Sequence, residues 1–241
     1  MSRTNVLGVE FDNVTMQEAV ERAMELISER RCAYCATPNP EIVMLAKEDA
    51  ALREALAGAD MVLPDGAGIV KGAAILGRPM KQKVPGIDFA CGVMAQLAER
   101  GGSVYLFGAK PGVAEAAGQT LKGKFPGLVI SGTSDGYFSD DGPIIEKISA
   151  AAPDMLLVCL GAPKQELWMA KMAGKTPLGL LVGLGGSLDV FAGTVKRAPV
   201  AWQKRELEWL YRLIKEPRRI GRMMKLPLFV LEAAGERLRG K

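Results

Sequence analysis

Histidine is absent from all 241 residues. With it goes the side chain that ordinarily exchanges protons near neutral pH, so acid–base chemistry here has to fall to carboxylates, Lys, Cys or Tyr. Its absence also leaves the four cysteines, Cys32, Cys35, Cys91 and Cys159, short of partners for a structural zinc site. Cys32 and Cys35 form a C-x-x-C, but no second one follows, and Tyr34 to Ala36 read as strand. The two thiols are therefore expected to be packing residues of opposite orientation. Aromatic residues make up only 6% of the chain and no tract is of low complexity. Ala, Gly and aliphatic residues fill the sequence instead, as close helix-to-sheet packing requires. Long apolar runs are missing too: the best candidates, such as Pro177 to Leu184, are far shorter than the about 20 residues that a membrane-spanning helix needs. No basic-then-apolar leader opens the chain. These absences point to a cytoplasmic protein with reduced thiols, not integral to a membrane.

The apolar residues that are present alternate between two periods. Asn5 to Asp12 read as short strands. Thr15 to Arg30 carries a helical stripe through Met16, Ala19, Val20, Ala23, Met24 and Ile27, opened by Thr15 as a cap with Glu18 three residues on. Strand Ala33 to Ala36, a helix from about Pro40, strand Met61 to Leu63 and a helix from about Gly68 follow. Further on come helix Asp88 to Glu99, strand Val104 to Gly108, helix Val113 to Lys124, strand Leu128 to Ser131, helix Gly142 to Ala151, strand Met155 to Leu160, helix Lys164 to Ala173 and strand Leu178 to Gly183. This order predicts an α/β protein with a Rossmann-like, mostly parallel sheet and helices on both faces. The length suits one substantial core, with no linker between independent domains and no internal repeat.

In such a sheet, ligands bind beyond the carboxyl ends of the strands. Two proline-framed polar loops stand there: Thr37-Pro38-Asn39-Pro40-Glu41 and Pro64-Asp65-Gly66-Ala67-Gly68. Pro64 stiffens the backbone before Asp65, and the glycines let the chain turn beneath an approaching ligand. Asp65 is a candidate general base; on local sequence alone, a cap for the helix near Ile69 is the simpler reading. Thr37 and Asn39 are candidates beside it, or ordinary turn residues. Gly161-Ala162-Pro163-Lys164-Gln165-Glu166 and Gly185-Gly186-Ser187-Leu188-Asp189 stand at two further strand ends. There Glu166 reads as a favourable charge on a helix start, and Asp189 could accept hydrogen bonds from a base or ribose. Tyr137 offers a ring for stacking, or is an ordinary half-buried tyrosine. Gly108 to Gly112 has neither dinucleotide nor Walker spacing and reads as a tight strand-to-helix turn.

Six segments in order resemble the bacterial TagA/WecG/CpsF glycosyltransferase family: Thr37 to Glu41, Leu63 to Gly66, Pro85-Gly86-Ile87-Asp88, Leu106-Phe107-Gly108, Gly161 to Glu166 and Gly185 to Asp189. The resemblance covers nearly the whole chain. It implies transfer of a sugar from a UDP-sugar to a polyprenyl-pyrophosphate-linked sugar, in the synthesis of teichoic acid linkers, enterobacterial common antigen or exopolysaccharide. It implies Asp65, Thr37 and Asn39 as catalytic residues, with Gln165 on the donor sugar or pyrophosphate; by their own chemistry Tyr137 and Asp189 are then the candidates for the uridine. Lys83 departs from the pattern, since the family usually carries arginine there. Lysine keeps the charge but loses the bidentate fork, so the donor sugar is open. N-acetylmannosamine is the first expectation; its uronic acid, glucose and galactose are the alternatives.

Charge is polarised along the chain. Residues 196–241 hold 13 Lys and Arg against 5 Asp and Glu, whereas residues 1–195 hold 18 against 22. The division expected is a catalytic domain over 1–195 and a basic amphipathic appendage over 196–241. Its apolar residues, among them Trp202, Trp209, Leu213, Ile214 and Phe229, suit the anionic inner face of a plasma membrane better than nucleic acid, for which no binding module is recognisable. A plain helix pair packed on the body is the other reading. Arg212 and Lys215 share a helical face, as do Arg219 and Arg222, and Pro217 is placed to begin a helix. Folded over the crevice, Arg212, Arg219 and Arg222 would receive a departing diphosphate, a role the resemblance also implies. No Asp-x-Asp stands at a strand end, and metal independence, with no cofactor, is the expectation. A tail that folds back only at lipid would leave the free form with an incomplete site, so a homo-oligomer is among the expected partners. A non-catalytic UDP-binding scaffold is the rival of another class; a nicotinamide oxidoreductase lacks its fingerprint.

Overall fold

The computed structural model describes residues 2–215 and 225–240, leaving aside the side chains of Lys204 and Arg212. The chain opens with an antiparallel hairpin, β1 (Arg3–Val6) and β2 (Val9–Asp12). Then α1 (Met16–Glu29) starts in the expected capping box: Glu18 N donates to Thr15 Oγ1 and Thr15 N to Glu18 Oε2. Six parallel strands follow: β3 (Ala33–Ala36), β4 (Met61–Val62), β5 (Ser103–Gly108), β6 (Val129–Ser134), β7 (Met155–Cys159) and β8 (Leu180–Gly183), in the spatial order β4-β3-β8-β7-β5-β6. All six carboxyl ends therefore share one edge.

The connecting helices are α2 (Pro40–Glu48), α3 (Ala50–Ala57), α4 (Ala67–Ile75), α5 (Gly86–Glu99), α6 (Val113–Lys124), α7 (Gly142–Ala151), α8 (Lys164–Met172) and α9 (Ser187–Phe191); α10 (Val200–Lys204), α11 (Glu208–Lys215) and α12 (Lys225–Arg239) follow among the described residues. The helix expected from Pro40 is two helices, because Asp49 ends α2 and caps α3, its Oδ1 accepting from Leu52 N at 3.0 Å. Strand β6 runs on to Ser134, beyond the Ser131 expected, because an edge strand with one neighbour accepts polar residues such as Thr133.

Alternate strand residues face opposite ways, as the pleat dictates. Tyr34, Phe107, Leu156, Val158 and Leu181 join one buried cluster, with α2, α3, α4 and α8; Cys35, Leu106, Leu157 and Val182 join the other, with α1, α5 and α6. Cys32 lies in the first cluster and Cys35 in the second, and all four thiols are free, so the packing reading of the C-x-x-C holds. The outer edge of β4 is closed by a side chain rather than a strand: Asp12, 2% exposed, accepts from Val62 N at 2.8 Å and from Arg3 Nε at 3.2 Å.

Beyond residue 195 the described residues meet the body at several places. The Arg197 guanidinium grips Asp88, at the start of α5, with bonds of 2.6 and 2.7 Å, and lies 3.5 Å from Glu208. Helix α12 lies on α2 and α4, and its Phe229 and Ala233 belong to the first buried cluster. Among the described residues no helix is long and apolar enough to cross a membrane.

Candidate active site

The crevice forms where the connections diverge. After β3 the chain leaves to α2 in the first cluster; after the neighbouring β8 it leaves to α9 in the second, so the sheet edge opens between them. Thr37 bridges this opening. Its buried hydroxyl donates to Gly183 O at 2.7 Å, tying the end of β3 to the end of β8.

Backbone bonds draw three loops together around it. Asp65 N donates to Pro38 O at 3.4 Å, and Val84 N to Pro64 O at 2.9 Å. The Pro85-Gly86 corner then packs directly on Thr37: a Cβ on Gly86 would stand 2.9 Å from Thr37 Oγ1 and 3.0 Å from Leu184 Cδ2, so only glycine fits. The loops that carry Thr37, Asn39, Asp65 and Lys83 are thus brought together at the carboxyl ends of β3 and β4. The structure separates the bland readings of the first three. Asn39 is a helix cap, its Oδ1 accepting from Ile42 N at 3.1 Å, with the amide nitrogen left for other work. For α4 the N-cap is Gly66, so Asp65 stands one residue outside the capping position and is half-buried.

Gln165 and Glu166 lie deeper, 3% and 1% exposed. Gln165 Oε1 accepts from Gly185 N at 2.9 Å, and its Nε2 donates to Glu166 Oε1 at 2.9 Å. Gln165 therefore clamps the loop after β8 to the start of α8, beside Gly183. Glu166 stands in the first turn of α8, as expected of a favourable helix-start charge, but it is buried there. Burial raises its carboxyl above the usual range, and Oε2 has no hydrogen-bond partner among the described residues. A raised folded-state value means that the folded chain holds the proton longer than the unfolded one. Stability is then lost as pH rises from about 4.5 through the folded value. Glu166→Gln keeps an acceptor for Gln165 and carries no charge, so it should raise Tm by a few degrees at pH 7 and by almost nothing at pH 4. Thermal melts at the two pH values check this.

The remaining candidates lie toward the other end of the same edge. Asp189 is in the first turn of α9, where its Oδ1 accepts from Thr194 Oγ1 at 3.3 Å. Tyr137 follows β6 and is 69% exposed. Its loop folds back over β5 and β7, since Gly136 N donates to Ala109 O at 2.9 Å and Lys164 Nζ to Gly136 O at 3.2 Å. The Arg212 backbone lies in α11. Its side chain, Arg219, Arg222 and the helix start expected at Pro217 lie outside the described residues. Two residues were missed by reading the sequence. Arg197 shows only as one more charge in a basic tail, although its partner Asp88 stands in a recognised motif; Glu166 reads as a charge favoured at a helix start, and nothing local shows that it is buried.

A parallel α/β protein with a carboxylate-bearing crevice at a switch point is the class that these observations define. The model of the Glycosyl transferase WecG/TagA/CpsF family matches residues 4–241, and the chain belongs to that family of glycosyltransferases. It is 37% identical over 204 residues, covering 85% of this chain and 79% of the relative, to an N-acetylglucosaminyldiphosphoundecaprenol N-acetyl-beta-D-mannosaminyltransferase of Bacillus spizizenii. It is 34% identical over 238 residues, covering 97% and 92%, to a protein of the same name from Staphylococcus aureus.

Proposed function

We propose that the chain transfers N-acetylmannosamine from UDP-N-acetylmannosamine to polyprenyl-diphosphate-linked N-acetylglucosamine, with inversion at the anomeric carbon. The observation that carries this reading is the knitting of the Asp65, Thr37 and Lys83 loops into one wall of the crevice; the names of the two relatives supply the sugars. Asp65 takes the proton of the acceptor hydroxyl as that oxygen bonds to the anomeric carbon, and the bond from that carbon to the UDP oxygen breaks. Thr37 and Asn39 hold the sugars. Lys83 meets the charge that grows on the departing diphosphate, and Arg212, Arg219 and Arg222 are assigned to the same charge. Gln165 acts on the donor through the Gly185 loop, while Asp189 and Tyr137 serve the uridine at the other end.

Residues 196–241 act as the membrane-associating part. On α12, Leu231 and Leu238 are 68% and 74% exposed, on the same helix as Lys225, Arg237 and Arg239. This fits attachment to the inner, anionic face of the plasma membrane, where a lipid-linked acceptor is reached sideways.

The test is UDP release from a panel of UDP-sugars, with and without an N-acetylglucosaminyl-diphosphoryl lipid and with EDTA throughout. Release is expected only with the N-acetylmannosamine donor and only with acceptor, and EDTA should leave the rate within about twofold, because cationic side chains are assigned the charge of the leaving group. UDP binding without release from any donor would instead favour a non-catalytic scaffold.

A further inference from the structure

Glu206 sits where local preference would not put it. It turns the chain after α10 with φ 61, and Leu207 N donates to Trp202 O at 2.9 Å across the turn. A helix-ending turn of this kind favours glycine, and the carbonyls at a helix end disfavour a carboxylate. What holds the side chain is charge from the body. Lys71 Nζ lies 2.8 Å from Glu206 Oε2, and the charge of Lys83 acts on the same carboxylate; Lys71, mainly by its hydrogen bond, and then Lys83 keep it below the usual range. Both cations stand in segments that adjoin the Asp65 loop. Lys83 precedes the Val84 to Pro64 bond, and Lys71 lies in the second turn of α4, which begins just after Gly66.

A non-glycine residue in the left-handed region is uncommon, and where its side chain is also held by opposite charge a functional constraint is worth seeking. The Lys71 ammonium group on this carboxylate, with the charge of Lys83 near it, leaves positive charge at the start of α4, and Lys71, Lys83 and Glu206 are all at least partly exposed. We propose that Lys71 and Lys83 form a seat for a diphosphate ester, and that Glu206 fills this seat in the ligand-free chain as an internal stand-in that substrate displaces. The proposal rests on the glycosyl-transfer reading for the ligand's origin. A diphosphate offers more charge and more acceptor oxygens than one carboxylate, so it satisfies both ammonium groups at once. Its arrival also frees Glu206 from the pairing that holds it at the turn. Both the donor and the lipid acceptor carry a diphosphate, and the chemistry of the seat is the same for either.

The experiment is calorimetric titration of the full chain with inorganic pyrophosphate, UDP and uridine, together with the KM for the lipid acceptor. The variants are Glu206→Gln, Glu206→Gly, which keeps the left-handed turn without strain, and Lys71→Met. Both Glu206 variants should bind pyrophosphate about threefold tighter or more, and Lys71→Met about fivefold weaker, with uridine unchanged in all three. A parallel gain for UDP assigns the seat to the donor; a lower acceptor KM with UDP unchanged assigns it to the acceptor. Pyrophosphate affinity that is unmoved or weakened in both Glu206 variants, or unmoved in Lys71→Met, overturns the proposal. Sugar transfer that proceeds normally while those affinities stay flat removes this inference alone. The expected affinities without transfer from any donor would remove the glycosyl-transfer reading and leave the anion seat standing.

Discussion

Replacing Asp65 with Asn is expected to lower turnover by about 10²- to 10⁴-fold, the range for loss of a general base, while UDP binds within about twofold of the parent. Asparagine has nearly the same shape but is uncharged, carries an NH2 donor in place of one acceptor oxygen, and cannot take the proton. The loop is held by backbone bonds, Asp65 N to Pro38 O and Val84 N to Pro64 O, and these bonds do not involve the carboxylate. The chain has no histidine to substitute as base. Steady-state UDP release and calorimetric UDP titration measure the two halves separately. Turnover that survives unchanged would sink the assignment of Asp65; loss of both turnover and UDP binding would make it a structural residue of the crevice.

Phe229→Ala should have the largest effect on stability, and it should be a local one. Phe229 is fully buried and fills a hollow on α4 left by Gly72, where a Cβ would stand 2.5 Å from Phe229 Cε1. Truncating a buried Phe costs about 3–5 kcal/mol. Polar ties of α12 to the body among the described residues include Lys47–Glu232 at 2.6 Å and Arg78–Glu236 at 3.5 Å, both partly exposed, and Arg237 Nη1 donating to Leu76 O at 3.3 Å; exposed pairs contribute about 0–1 kcal/mol each and a hydrogen bond about 0.5–1.5 kcal/mol net. They do not make up the loss, so α12 undocks while the sheet persists. Hydrogen exchange should show residues 225–239 losing protection with β5 and β7 unchanged. Equal loss across both strands would mean that α12 is an integral part of the core. Gly72→Val, which fills the same hollow from the other side, should give the same exchange pattern.

Much of this architecture is legible in the residues because period and punctuation agree. Val113–Lys124 falls within its expected bounds, and the Thr15 and Glu18 pair announces the start of α1. The α2 to α3 break is less visible, since Asp49 lies inside a continuous apolar stripe and breaks it only by capping the next helix. The family motifs locate the crevice, yet they do not show that Thr37 spends its hydrogen on Gly183 or that Gln165 is held at both ends. Those facts depend on strands that are distant in sequence becoming neighbours, β3 beside β8 above all. Glu206 is illegible for the same reason. A glutamate in a basic tail reads as solvated until α4 is known to bring Lys71 to it.

The fork between Arg197 and Asp88 gives that last contact a scale. Glu206 lies nine residues after a point fixed to the body, and nine residues reach at most about 30 Å even when fully extended. A carboxylate displaced from Lys71 therefore stays tethered within that radius. Through so short a linker it competes for the seat at an effective concentration on the order of millimolar. Occupancy of the crevice would then respond to the size of the substrate pool through a threshold written into the chain's own length, and shortening or lengthening residues 198–205 would move it.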